Sequence, residues 1–374
     1  MSSRIRNWLF DEALPFWGDA GLDRAHGGFL EEVGAAGEPT ACAFKRLRVS
    51  CRQIYVFSHA ALLGWAPGRA LSDHGYEYLI EKAWLGEERG WATRLTREGG
   101  VLDATPNLYD LAFVLFALAW RFRLTRDEET RLRIEQTLRF IKLEMSAGGL
   151  GGYWHQKPAQ GPRLQNPHMH LHEAALALTD AAADAEGLFL AREIAGLFKH
   201  RFIQGASVCE YFTADLRPLP GRDGGVREPG HNFEWAWILA QHSRLTGEDF
   251  SETVAALVGF AERGVDAAGA VFDETDAAGA PVRMTSRTWP NTERIKGWLG
   301  LFELTGRDPR AAVIQSARLL LDRYLAAPRR GAWVDQFDAT GAPTTLIAPA
   351  STFYHVFLAF SEVLRLEPAL AALE

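Results

Sequence analysis

The chain has 374 residues, 47% hydrophobic and 23% charged, the balance of a globular protein with a large core. Its net charge is −7 and its densest basic run is only Lys45, Arg46, Arg48 and Arg52, which argues against nucleic-acid binding. The most apolar run, Leu111 to Trp120, is half what a bilayer span needs, so no membrane segment is expected.

From Met1 to Trp17, polar and apolar residues alternate at helical spacing, without the apolar centre of a signal peptide. Cys42, Cys51 and Cys209 are scattered and form no Cys-x-x-Cys pair, a pattern that fits reduced thiols and a cytoplasmic location. Helical periodicity recurs over 2–18, 47–65, 69–86, 104–124, 126–145, 166–182, 184–202, 230–245, 249–262, 289–305, 308–324 and 350–366. Short turns such as Ala66–Gly68 and Thr246–Glu248 pair these helices antiparallel. Longer segments precede every second helix and contain short strand-like runs at 27–31, 90–94, 152–154, 210–213, 270–273 and 332–335. Several of these lead into turn residues typical of β-hairpins, as at Ala214-Asp215, Asp276 to Gly279 and Asp338 to Gly341. Residues 218–230, rich in Gly, Pro and Arg, read as a loop near a pocket.

Pro106, Pro167, Pro229, Pro290 and Pro349 are separated by 61, 62, 61 and 59 residues. Proline favours the first helical position, so a unit of one architecture is expected to start again and again. About twelve helices in six pairs then make an all-α (α/α)6 barrel, one domain over 1–374, with short hairpins in the long loops at the mouth. The second helix of each pair lies inside. The inner N-termini meet at one mouth and bring Arg52, Tyr109, Asn166, His170, His231, Glu234, Trp289, Glu293 and His355 around one cavity.

Each group has a plain structural reading beside the chemical one. Asn166 is a suitable N-cap before Pro167, and Asn166, His170 and Glu173 share a helical stripe that His168 and His172 do not. A zinc site needs converging ligands, and alternate histidines on a helix point apart, so no metal is expected. His231 and Glu234 stand three residues apart, close enough for the carboxylate to orient the imidazole. Trp289 offers a face for a sugar ring and Glu293 a carboxylate for its hydroxyls. Arg52 lies among apolar residues, where a guanidinium needs an oxygen-rich partner. His355 opens the last helix. No Walker loop, Rossmann glycine pattern or Gly-x-Ser-x-Gly elbow is present.

These residues and their neighbours, Arg52 to Phe57, Tyr109 to Phe113, Asn166 to His170, Pro229 to Trp235, Arg287 to Glu293 and Tyr354-His355, resemble the motifs of the N-acylglucosamine 2-epimerase family, in order along nearly the whole chain. That family includes bacterial mannose isomerases and sulfoquinovose isomerase. The resemblance implies the same barrel and cofactor-free proton transfer at C1 and C2 of a sugar. It implies that His231 and His355 are the acid/base pair and that Arg52 stabilises the enediolate. Tyr109, Asn166, His170, Glu234, Trp289 and Glu293 would bind substrate or orient the histidines. The expected partner is a small-molecule sugar, with a homo-oligomer left open.

The expectation is an aldose–ketose isomerase of the mannose–fructose type. Alternatives are a mannose-6-phosphate isomerase, with Lys45, Arg46 and Arg48 binding phosphate instead of lying solvated, and a 2-epimerase of N-acylglucosamine or glucose-type sugars. More remote are a glycoside hydrolase using Glu173, Glu234 or Glu293, and a sugar-binding protein without turnover.

Overall fold

The computed structural model describes residues 1–182 and 184–373. Helix α1 covers residues 2–19, with π geometry across Trp8–Ala13. The other long helices are α2 (Leu47–Leu62), α3 (Gly68–Lys82), α4 (Leu108–Thr125), α5 (Glu128–Phe140), α6 (Gln165–Ala182), α7 (Ala185–Leu197), α8 (Pro229–Thr246), α9 (Ser251–Ala261), α10 (Thr288–Thr305), α11 (Arg310–Leu319) and α12 (Thr352–Arg365), with single short turns at Gly221–Gly225 and Glu367–Ala371. Single π turns prolong α5, α7 and α11.

Local chemistry sets the helix ends. The Asn107 side chain accepts from the N–H groups of Tyr109 and Asp110 and caps α4, and Asp127 caps α5 through the Thr130 N–H. Gly247 and Gly306 take the left-handed conformation at φ 76° and 73°, where each N–H returns to a carbonyl of the last turn of α8 or α10. The prolines lie near helix starts but not at one position. Pro229 is the first residue of α8, Pro167 and Pro290 are the third residues of α6 and α10, and Pro106 and Pro349 precede α4 and α12. All three helical prolines fall in the first turn, where a backbone N–H has no intrahelical acceptor to lose. Asn166 is therefore no N-cap, because α6 begins one residue earlier. The chain is already fixed there by pairing of Arg163–Leu164 with Tyr211–Phe212.

The even-numbered helices form the inner ring. They pack in the order α2, α4, α6, α8, α10, α12 and back to α2, so the ring closes. Each odd-numbered helix from α3 to α11 packs outside the inner helix before it, and α1 covers α12. The inner helices are enclosed on nearly all sides, and in α8 every residue from Pro229 to His242 is buried.

Six short pairings stitch successive repeats at the mouth. Residues 44–46 pair with 94–96, Asn107 with Gln156, 163–164 with 211–212, Arg227 with Thr275, and 286–287 with 336–337. Glu32–Gly34 pairs with Ile347–Pro349 and closes the circle. The expected strands are mostly displaced. The first, second, third and fifth segments contribute single bridges, such as Leu22 to Phe29 and Trp84 to Trp91, which close a tight turn after each outer helix. The ladders themselves lie a few residues beyond. Alternation over so few residues does not separate a bridge from a strand. The turn at Asp276 to Gly279 does join a hairpin, between Glu274–Thr275 and Pro281–Arg283. No helix among the described residues is long and apolar enough to cross a membrane.

Candidate active site

Trp289 is the centre of the mouth. Its ring packs against His231, with centroids 5.1 Å apart, and against His355, with centroids 5.5 Å apart. Helices α8, α10 and α12 each place one of these rings in the first two turns, so two imidazoles 124 positions apart in sequence share one indole. Both histidines are buried apart from a small exposed edge.

The two imidazoles have different partners. Nδ1 of His231 lies 3.0 Å from Oε2 of Glu210, and 3.9 Å from a Glu228 carboxylate oxygen. Gln165 holds Glu210 in place, donating from Nε2 at 2.8 Å, and is itself held by the indole N–H of Trp235. Burial works against charge on His231, but Glu210 and Glu228 outweigh it and raise its pKa to about 10. The expected partner, Glu234, is thus not the one bound to His231 Nδ1. Glu210 comes from the chain just before Tyr211–Phe212, and the pairing of that strand with Arg163–Leu164, with the Val208 N–H donating to Asn232 Oδ1 of α8, brings it over the start of α8.

Nδ1 of His355 lies 2.8 Å from Oε1 of Glu293, whose other oxygen is 2.7 Å from the ammonium of Lys296. Burial, aided by the Arg52 and Lys296 cations, holds His355 well below the ordinary imidazole value. His231 is therefore poised as a cation and His355 as a neutral base.

The remaining groups surround this pair. The Arg52 guanidinium donates to Tyr109 Oη at 2.7 Å and to the Ser351 carbonyl at 3.1 Å, and sits over the Phe113 ring at 4.2 Å. Its buried Nε has no acceptor. His170 meets Tyr109 edge-on at 4.8 Å and places Nδ1 3.2 Å from Glu173, the stripe partner expected from spacing. Tyr354 donates to the same Glu173 carboxylate. Glu234 adjoins both groups, within 4.8 Å of His170 and Glu173 on one side and of Glu293 and His355 on the other. Asn166 is half-buried, and its Oδ1 is enclosed without a hydrogen-bond partner. His168 and His172 are buried packing groups. His168 accepts the Tyr153 N–H, and His172 contacts His242.

Clusters of one imidazole and two carboxylates are the donor type a cation would use. In the one containing Glu293, the positive charge is supplied from within the chain by Lys296. Spacing pointed to Arg52, Tyr109, His170, His231, Glu234, Trp289, Glu293 and His355, and these do converge. It missed Glu210, Gln165, Glu228 and Lys296. Only Glu228, one residue before Pro229, carried a signal, by standing at a repeat start.

The basic residues at the entry to α2, Lys45, Arg46 and Arg48, are all paired with carboxylates, and of them Arg46 and Arg48 stay partly open to solvent. Lys45 is buried 3.1 Å from Asp23, Arg46 pairs with Glu31, and Arg48 forks onto Asp110 at 2.9 and 2.7 Å. At the other end of the barrel a cavity of about 470 Å³ is lined by groups that include His59, Trp120, Arg123, Glu362 and Arg365, and by none of the nine expected site residues.

The barrel and its mouth define a sugar isomerase or epimerase. More particularly, the chain belongs to the N-acylglucosamine 2-epimerase (GlcNAc 2-epimerase) family, whose model matches residues 27–359. It is 33% identical over 384 aligned residues to mannose-6-phosphate isomerase of Rhizobium meliloti (strain 1021), across 97% of this chain and 96% of that protein. It is 22% identical over 369 residues to cellobiose 2-epimerase of Bacteroides fragilis, across 91% and 92%. A crystal structure of D-mannose isomerase superposes with a TM-score of 0.88 at 23% identity, covering 98% of each chain.

Proposed function

We propose that the protein interconverts an aldohexose of the mannose type and its 2-ketose through a cis-enediol. The observation behind this reading is the pair of histidines on Trp289, one held cationic by Glu210 and Glu228, the other neutral beside Glu293. His231, the acid, gives its proton to the ring oxygen O5 and takes the O1 proton in return, so that the C1–O5 bond breaks, the C1 carbonyl forms and the imidazolium is restored. His355, with Nδ1 engaged by Glu293, takes the C2 proton on Nε2. The C2–H electron pair becomes the C1–C2 double bond, and the C1 carbonyl oxygen becomes negative. Arg52, with an unused N–H, meets that charge. His355, whose Nε2 proton exchanges with solvent, then protonates C1, while the O2 proton passes to O1 and O2 becomes the ketone. Trp289 supplies the face for the sugar ring, while Tyr109, Asn166, His170 and Glu234 hold hydroxyls or neighbouring side chains.

One relative and one cavity bear on the substrate. The relative sharing 33% identity is named for a phosphorylated mannose, and a cavity of about 390 Å³ beside Tyr109 is lined in part by Arg46, Arg48 and Arg94. Arg46 and Arg48 are already neutralised by Glu31 and Asp110, which favours the free sugar.

Mannose and mannose 6-phosphate, each incubated in D2O and followed by NMR, separate the readings. Free fructose carrying deuterium at C1 is expected. Turnover of the phosphate alone moves the substrate to the phosphorylated sugar. Loss of the C2 proton with a C2 epimer as sole product makes the enzyme a 2-epimerase. His355→Ala is expected to abolish C2–H exchange with the fold intact by circular dichroism; undiminished exchange removes His355 from its role.

A further inference from the structure

Lys296 has no place in the proton transfers above, yet it is fully buried in the barrel beneath them. Its ammonium lies 2.7 Å from Glu293 Oε2 and 4.5 Å from the centroid of the Trp237 ring, on the side away from His355. A buried lysine is costly unless its charge is matched. Here burial opposes the charge, but Glu293, Glu234 and Glu173 keep the ammonium protonated above its ordinary range.

The carboxyl it touches is contested. Burial and the adjacent Glu234, with Glu173 adding to them, push the Glu293 carboxyl well above its ordinary range, and Lys296, 2.7 Å from Oε2, is the group that opposes them. The outcome decides which nitrogen of His355 is free. An ionised Glu293 can only accept, so it fixes the proton of His355 on Nδ1 and leaves Nε2 with a lone pair. A protonated Glu293 would donate to Nδ1 and force the imidazole proton onto Nε2, where the base is needed. We infer that Lys296 is the positioning residue that selects the reactive tautomer of His355, by holding Glu293 as a carboxylate from the side opposite the imidazole. The other charged or polar groups facing this unit are Glu173 and His170 from α6, Glu234 and His231 from α8, Arg52 from α2 and Tyr354 from α12. None of them touches Glu293 Oε2 as an ion pair; Lys296 does.

This inference rests on His355 being the base, and its test separates the two ideas. In K296M the charge is lost with little change of volume. Nitrogen-15 NMR of the His355 ring is expected to move from the Nδ1–H to the Nε2–H form, and C2–H exchange is expected to fall on the order of 10²-fold or more. K296R, which keeps the charge, is expected to retain the Nδ1–H form and recover exchange. K296Q replaces K296M if melting curves show that the latter does not fold. An unchanged tautomer in the neutral variant overturns the inference, whatever the activity. A switched tautomer together with full exchange in His355→Ala leaves the Lys296 link standing and overturns the proposed base.

Discussion

His231 and His355 are the same side chain in two electrostatic settings, and the difference lies in what stands behind each ring. Two carboxylates, Glu210 and Glu228, face His231, while His355 shares its single carboxylate with a lysine. The pH response of the protein follows. The folded value of His231, about 10, lies above the ordinary 6.5, so its ion pairs stabilise the fold fully below about pH 6.5. That stabilisation is lost as pH rises through 10. Urea midpoints of the wild type and of His231→Asn are expected to differ most near about pH 6 and to converge above pH 10. A gap that does not narrow would mean that His231 is uncharged in the fold. The motif around His231 gave its identity and position from the residues alone. Its carboxylate partner was misread as Glu234, because neighbours along a helix are visible in a sequence and neighbours across a seam are not.

At the level of the helices, most of the architecture was legible. All twelve expected helices begin within four residues of their expected starts, since an apolar stripe and a cap or glycine stop are local signals. What was not legible is how near two helices come. Where α10 crosses α8, a Cβ on Gly297 would sit 3.0 Å from the Phe233 carbonyl oxygen and 3.1 Å from its Cα, both backbone atoms that cannot swing away. Gly297→Val is therefore expected to destabilise by about 1–3 kcal/mol through overpacking. Gly259, exposed in the last turn of α9, has open space where a Cβ would lie. Gly259→Ala is expected to stabilise by about 0.5–1 kcal/mol from backbone entropy alone. Denaturant titration of both variants checks the pair; equal effects of the same sign would refute the packing argument.

Across the whole molecule, the site depends on closing the ring between the last repeat and the first. The Glu32–Gly34 and Ile347–Pro349 strands make that seam, and Trp17 stacks on Trp333 at 4.7 Å while its indole N–H donates to the Gly331 carbonyl. The seam also sets Arg52, because the guanidinium leans on Ser351 and Gln53 donates to the Ala350 carbonyl, both carbonyls just ahead of α12. Trp17→Ala is expected to cost about 3–5 kcal/mol, from a large cavity in the core. It is also expected to lower C2–H exchange, although Trp17 does not touch the site. Lost stability with unchanged exchange would mean that the seam does not position Arg52.

The amino-acid sequence by itself determined the helices, their pairing in six units and the kinds of side chain at each inner helix start, because periodicity, caps and turn residues act over a few positions. Only the tertiary structure decided which imidazole is charged and which is neutral. Glu210 reaches His231 through a strand seam, and Lys296 reaches the carboxylate behind His355 from inside the barrel. Electrostatic energy depends on separation in space and on exclusion of water, and neither is written in the order of residues along a chain.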